Sequence, residues 1–163
     1  MKKFKLIAAA FITVATLTTS ASAVTPKPTP KVIMQQNELT QKNKALVLKA
    51  YQELFGDHDL NALDRYWATP YIQHNPTMND GIDSVKQMLE NMGISHWPKQ
   101  KVEFKRVIAE GDLVMLQVVQ PKSDNSTETV IVDMFRVENG KIAEHWDVTQ
   151  AVPADAVNKR TMY

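Results

Sequence analysis

The chain has 163 residues, 19 Lys+Arg against 18 Asp+Glu, a formal charge of +1 and no cysteine. That length suits one ordinary domain rather than two. The near-neutral charge gives no electrostatic footprint for nucleic acid, and the lack of cysteine excludes thiol catalysis, disulfide exchange and cysteine-ligated metal.

Lys2, Lys3 and Lys5 open the chain, an apolar run follows from Leu6 to about Leu17, and Ala21-Ser22-Ala23 forms an A-x-A cleavage pattern. That order is a secretory signal peptide over residues 1–23, and its apolar run is short for a bilayer span. Removing 23 of the 163 residues leaves 140 and takes away three lysines and no acid, so the formal charge falls from +1 to −2. The expectation is export to the periplasm or the extracellular space, with no stable membrane insertion after cleavage. A domain of that size without disulfides is held by its own core.

Val24 to Lys31 reads V-T-P-K-P-T-P-K, so residues 24–36 are expected to form an extended tether. A first helix is predicted from Thr40 to Phe55, with Val47, Tyr51, Leu54 and Phe55 on one face and Gly56 at its end. A short second helix follows, with Asp59 as N-cap, Leu60, Leu63 and Trp67 facing inward and Pro70 as its stop. Tyr71–Asn75 reads as a short strand. A third helix starts near Asp80, with Ile82, Val85, Leu89 and Met92 on one face.

After Pro98 the period becomes two. Val102, Phe104 and Arg106 alternate with Glu103 and Lys105, and Glu110-Gly111-Asp112 reads as a turn. Further strands are predicted over Leu113–Gln120, Thr129–Val137 and Ile142–Gln150, with Asn139-Gly140 as a hairpin signal. Helices first and an antiparallel meander afterwards spell an α+β fold, a curved sheet wrapped round the helices.

Two stretches carry a family resemblance. A-Y-Q-E-L-F-G-D-H-D-L-N-A-L-D-R-Y-W-A-T-P-Y-I-Q-H-N-P, from Ala50 to Pro76, resembles the front half of SnoaL-like domains. D-M-F-R-V-E-N-G-K-I-A-E-H-W-D-V, from Asp133 to Val148, resembles their last hairpin. These domains belong to the nuclear transport factor 2-like superfamily and are similar in shape to ketosteroid isomerase. The resemblance spans residues 37–152 and leaves 153–163 as a tail. It implies a cone: a curved mixed or antiparallel sheet closed by three N-terminal helices, a cystatin-like roll, with a pocket at its open end and frequent homodimerisation through the sheet. It also implies enzymes acting on polyketides, steroids or epoxides, beside members without a reaction.

Candidate site residues follow. In the similar isomerases the residue before Pro76 is a proton-moving acid. Asn75 stands there instead, an amide that takes no proton near neutral pH but can hold a carbonyl or enolate. His74 offers a base, or a plain turn residue. Asp133 interrupts an apolar strand; it is either a pocket acid or the partner of Arg136 or Lys141. On the last strand Glu144 and Trp146 share one face and His145 and Asp147 the other, and period two does not say which looks inward. Asp147, with His145 beside it, resembles by position the general acid/base of SnoaL-like cyclases. The other facing makes Glu144 the pocket acid and Trp146 a wall.

Tyr51 matches the helix position of a hydrogen-bonding tyrosine in the similar isomerases, or it is plain core. Tyr66, Trp67, Tyr71, Met88, Met92 and Phe135 read as pocket or core walls. Asp57-His58-Asp59 are adjacent and do not converge on one ion, so no metal is expected. Asn125-Ser126-Thr127 matches a glycosylation acceptor but reads as a polar loop. No Gly-rich phosphate loop or G-x-S-x-G elbow occurs, so no nucleotide or serine hydrolysis is expected.

Three functions compete. One is a cofactor-free enzyme for a small hydrophobic carbonyl compound, using Asp147, His74 or His145 for aldol-type cyclisation or isomerisation. Another is a binding domain without turnover, and the third a dimeric interaction domain. Expected export weighs against a polyketide cyclase, and Asn75 in place of an acid weighs against isomerisation in its usual form.

Overall fold

The computed structural model describes residues 27–123 and 126–163. The predicted leader and Asn125 lie outside the described residues. Among the described residues no helix is long and apolar enough to cross a membrane.

Helix α1 (Pro30–Tyr51) begins ten residues earlier than predicted, so the extended tether is corrected from Pro30 onward. Thr29 Oγ1 accepts the Val32 N–H at 3.4 Å, and Pro30 sits at the first helical position, where its missing N–H is not needed. The prolines therefore introduce the helix instead of forbidding it. At the other end α1 stops at Tyr51 and its last turn widens into a π-turn over Gln52–Gly56. Gly56 is required there, because a Cβ would stand 2.6 Å from the Gln100 carbonyl oxygen.

Helix α2 (Ala62–Tyr66) is shorter at both ends than its apolar pattern implied, starting after Leu60 and stopping before Trp67. Trp67 is already extended and opens strand β1 (Trp67–Gln73), which contains Pro70 instead of being preceded by it. β1 is an edge strand whose register breaks between Trp67 and Ile72, so a proline costs no ladder bond there. Helix α3 (Ile82–Asn91) buries Val85 and Leu89 as expected, while Met92 caps it, half exposed.

The remaining strands are β2 (Arg106–Glu110), β3 (Leu113–Gln120), β4 (Thr129–Glu138) and β5 (Lys141–Ala151). β2 starts later than its alternation suggested. The Val102 N–H is taken by the Gln52 side chain at 2.8 Å instead of a neighbouring strand. The sheet order is β1-β5-β4-β3-β2; β1 runs parallel to β5 and the other pairs are antiparallel. One face of this mixed sheet packs on the helices through Val47, Leu54, Leu63, Leu89, Leu116 and Ile142. Ile142→Val removes one methylene from a side chain 1% exposed. We expect a loss of ~0.5–1.5 kcal/mol in urea unfolding.

The β4–β5 ladder pairs Asp133 with Asp147, Phe135 with His145 and Arg136 with Glu144, then Val137 with Ile142. Ala143 is thus an extra residue on β5, a bulge. It puts Ile142, His145 and Asp147 on the inner face. Without it Ile142 and Glu144 would share a face. The one-residue phase shift puts Ile142 on the face opposite Trp146.

Candidate functional site

The helix-facing side of the sheet does not close completely. A cavity of about 630 Å³ remains between α3, the end of α1 and strands β3 to β5. Its walls include Phe55, Trp67, Tyr71, Met88, Met92, Trp97, Ile131 and Phe135, and it contains Tyr51, Gln73, Asn75, Asp133, His145 and Asp147.

Asp133 and Asp147 face each other directly across two strands, a destabilising placement for like charges unless they are compensated. Asp133, 5% exposed, accepts from Tyr51 Oη through Oδ2 at 3.0 Å and meets His145 Nε2 through Oδ1 at 2.9 Å. It reaches neither Arg136 nor Lys141, so that predicted ion pair is corrected. Arg136 is bound by Glu144 and Glu138, and Lys141 by the Arg65 carbonyl.

The hydrogen-bond accounting fixes the protons. Gln73 Oε1 accepts from the Asn75 N–H at 3.0 Å, so it is the amide oxygen that meets His145 Nδ1 at 2.9 Å, and Nδ1 donates. The other ring nitrogen faces a carboxylate oxygen and needs one more proton between them. Asp133 is thus engaged through both oxygens, by His145 at Oδ1 and by the Tyr51 hydroxyl at Oδ2.

Asp147 is held from the other side. Asn75 Nδ2 donates to its Oδ1 at 3.0 Å and its Oδ2 at 2.7 Å. The Asn75 carbonyl oxygen in turn accepts from Thr77 N at 2.9 Å and Thr77 Oγ1 at 2.6 Å, which fixes the amide orientation. Burial, then the adjacent Asp133, pushes the Tyr51 phenol well above its ordinary range. Burial does the same for Tyr71, whose hydroxyl lies beside the Trp67 and Gln73 side chains. Both stay protonated donors at working pH.

Oxygen or nitrogen atoms of Asp133, His145 and Asp147 lie within 4.8 Å of one another, close enough to ligate one cation. Each is already engaged by Tyr51, Gln73 or Asn75. The arrangement is therefore complete as an acid/base cluster. Asp57, His58 and Asp59 turn to separate partners: Gln52, the Trp97 carbonyl and Arg65.

Three predicted site residues lie elsewhere. His74, Glu144 and Trp146 occupy the outer face of the sheet, because neighbours in a strand point to opposite sides. His74 stacks on Trp146 with ring centroids 4.6 Å apart, and its Nε2 meets Glu144 Oε1 at 2.7 Å. Arg136 Nε meets the other Glu144 oxygen at 2.6 Å. None of the three lines the cavity, so their assignment as base, pocket acid and pocket wall is corrected. Tyr66 also leaves the cavity; its hydroxyl donates to Glu53 at 2.8 Å.

His74 and then Arg136 hold the Glu144 carboxyl below the usual carboxylate range. Its value is lower folded than unfolded, so the stabilisation is present above the unfolded value and lost as pH falls through the folded one. Glu144→Gln should flatten the acid limb of a Tm–pH profile modestly, by under about 1 kcal/mol as for solvent-facing pairs.

Gln73 was not singled out in the sequence. It shares parity with Tyr71 and Asn75 along β1, which was the available signal. Tyr163, Lys105 and Trp97 are further lining residues that no sequence pattern marks.

A bent mixed sheet, three helices on its inner side and an acid/base cluster in the hollow define a cone-shaped domain of the nuclear transport factor 2-like class. The SnoaL-like polyketide cyclase model matches residues 45–156, and the chain belongs to that family. Domains of this kind bind small molecules.

Among solved structures, TsrD from Streptomyces laurentii is 19% identical with a TM-score of 0.54, over 67% of this chain and 88% of that one. An LEH-like epoxide hydrolase from M. tuberculosis is 16% identical with a TM-score of 0.54, over 68% and 84%. A nuclear transport factor 2-like protein of unknown function from Mesorhizobium loti is 17% identical with a TM-score of 0.55, over 69% and 93%. These likenesses concern the fold. Curated proteins give no match.

Proposed function

We propose that the cavity binds a small hydrophobic carbonyl compound and that Asp147 moves a proton at the carbon next to the carbonyl, the step shared by isomerisation and aldol-type cyclisation. The observation that carries this reading is the division of labour inside the cavity. Asp147 is a carboxylate oriented, among the described residues, by Asn75 alone, while the neighbouring Asp133 is engaged at both oxygens by His145 and Tyr51. One oriented carboxylate beside an engaged acid–imidazole pair, within aromatic walls, suits acid/base chemistry without a cofactor.

In this mechanism Asn75 positions the base and does not touch the substrate, since both ends of its amide are occupied. Tyr51 is likewise committed to Asp133. The enolate oxygen is met by Tyr71, a buried phenol that lines the cavity and keeps its proton. Deuterium exchange from D₂O into the methyl group of naphthyl methyl ketone, followed by NMR, tests the reading directly. Exchange above the buffer rate supports it; the buffer rate alone, with ketone bound, rejects catalysis.

The saturation of the cluster favours a second reading, binding without turnover, which predicts the latter result. We further propose that the domain works as an exported protein after loss of residues 1–23. Its outer sheet face, with Ile108, Leu113 and Val148 exposed, would pair with a second copy. Sedimentation of residues 24–163 as a monomer at micromolar concentration would refute the pairing. Intact residues 1–23 in material secreted by the native host would refute cleavage.

A further inference from the structure

The cavity has a wall that the family model does not cover. The match ends at residue 156, yet Tyr163 lines the pocket. Chain after β5 returns to the open end of the cone and is fastened there. Gln117 Nε2 donates to the Met162 carbonyl at 3.1 Å. The Tyr163 hydroxyl donates to Glu128 Oε2 at 3.4 Å. Lys105 Nζ sits 4.6 Å from the Tyr163 ring centroid. The ammonium on the ring holds it by a cation–π contact, and Glu103, 2.8 Å from the same ammonium, fixes the cation in turn. Between β5 and these anchors Val157 is fully exposed.

The position along the cone matters. Asp147 and Thr149 both line the cavity, and Thr149 lies one strand repeat further out, roughly 7 Å toward the mouth. Glu128, Ile131 and Tyr163 line that outer part. A cavity of ~150 Å³ already holds a benzene-sized molecule. The present one, at about 630 Å³, has room for a single ring at Asp147 and for much more beyond it.

We propose that Tyr163 is a specificity-determining residue. It forms an outer subsite that selects elongated, multi-ring carbonyl compounds, whose distal ring packs on the tyrosine while the carbonyl end lies at Asp147. This rests on the reading of the cavity as a carbonyl-compound site.

The test is calorimetric titration of the chain from Val24 onward with two probes, acetophenone (one ring) and naphthyl methyl ketone (two fused rings). Tyr163→Ala should weaken the naphthyl ketone about fivefold, the size of one aromatic pair, and leave acetophenone unchanged. Tyr163→Phe keeps the ring and should restore naphthyl binding to within a factor of about two. If Tyr163→Ala weakens both ketones equally, or neither, the subsite assignment is overturned while the carbonyl site stands. If neither ketone binds the unmodified protein, both fall. Unfolding of the Tyr163→Ala variant would show the segment to be structural; the Tyr163→Phe variant, and Lys105→Met, which removes the cation over the ring, then decide. Lys105→Met should also weaken only the larger ketone; an equal change for both ketones, or no change for either, overturns the proposal.

Discussion

Asp147→Asn should lower deuterium exchange into the bound ketone by roughly a hundredfold to ten-thousandfold, the usual contribution of a positioned base. The substitution preserves volume and removes only the ability to take a proton. Asn75 Nδ2 now donates to the Asp147 carboxylate; facing an amide, it can still bond to the new carbonyl oxygen, so the fold and ketone affinity should hold. Asn75→Ala offers the complementary case. It keeps the base and removes its clamp, so exchange should fall less, about tenfold, because the carboxylate loses its fixed orientation. An Asp147→Asn protein that exchanges as fast as the unmodified one would move the base elsewhere in the cavity.

Asp133→Leu should be the most destabilising single change in the cluster, by ~3–5 kcal/mol in urea unfolding. Removing the carboxylate strands two buried partners at once: the His145 ring, 8% exposed, and the Tyr51 hydroxyl on α1. Asp133→Leu combined with His145→Leu should recover most of the loss, because apolar replacement of both members of a buried pair is often close to neutral. A double-mutant cycle gives the coupling. If the single change costs under about 1 kcal/mol, Asp133 is not the buried hub described here. The contrast with Glu144 follows from position. The same type of His–carboxylate contact lies outside in water, where it counts for little.

Much of the architecture was legible in the chain. Leu113–Gln120 matched its strand residue for residue, Asn139-Gly140 marked the last hairpin, and Val85 and Leu89 marked the buried side of α3. The local signals there are strong: β-branched alternation, turn chemistry and a helical stripe. They failed where local rules compete. A cluster of prolines reads as extended chain until the last one is seen to follow a threonine cap. Val102 and Phe104 alternate like a strand, yet a glutamine on the preceding π-turn takes the N–H that a ladder would need.

The residue types alone determined the chemistry on offer: carboxylates, imidazoles and phenols, with no thiol, in a chain whose strands and helices enclose a hollow. Which of them meet was decided by the folded chain. His74 and Asn75 are neighbours, but strand alternation sends one to water and the other to Asp147. Glu144 and His145 part in the same way, and the bulge at Ala143, which advances the phase of β5 by one residue, brings Ile142 to the inner face with His145. A period of two describes which residues share a face and is blind to which face is inside. That choice is made by burial against other elements, here α1 and the neighbouring strand, distant in sequence and close only after folding.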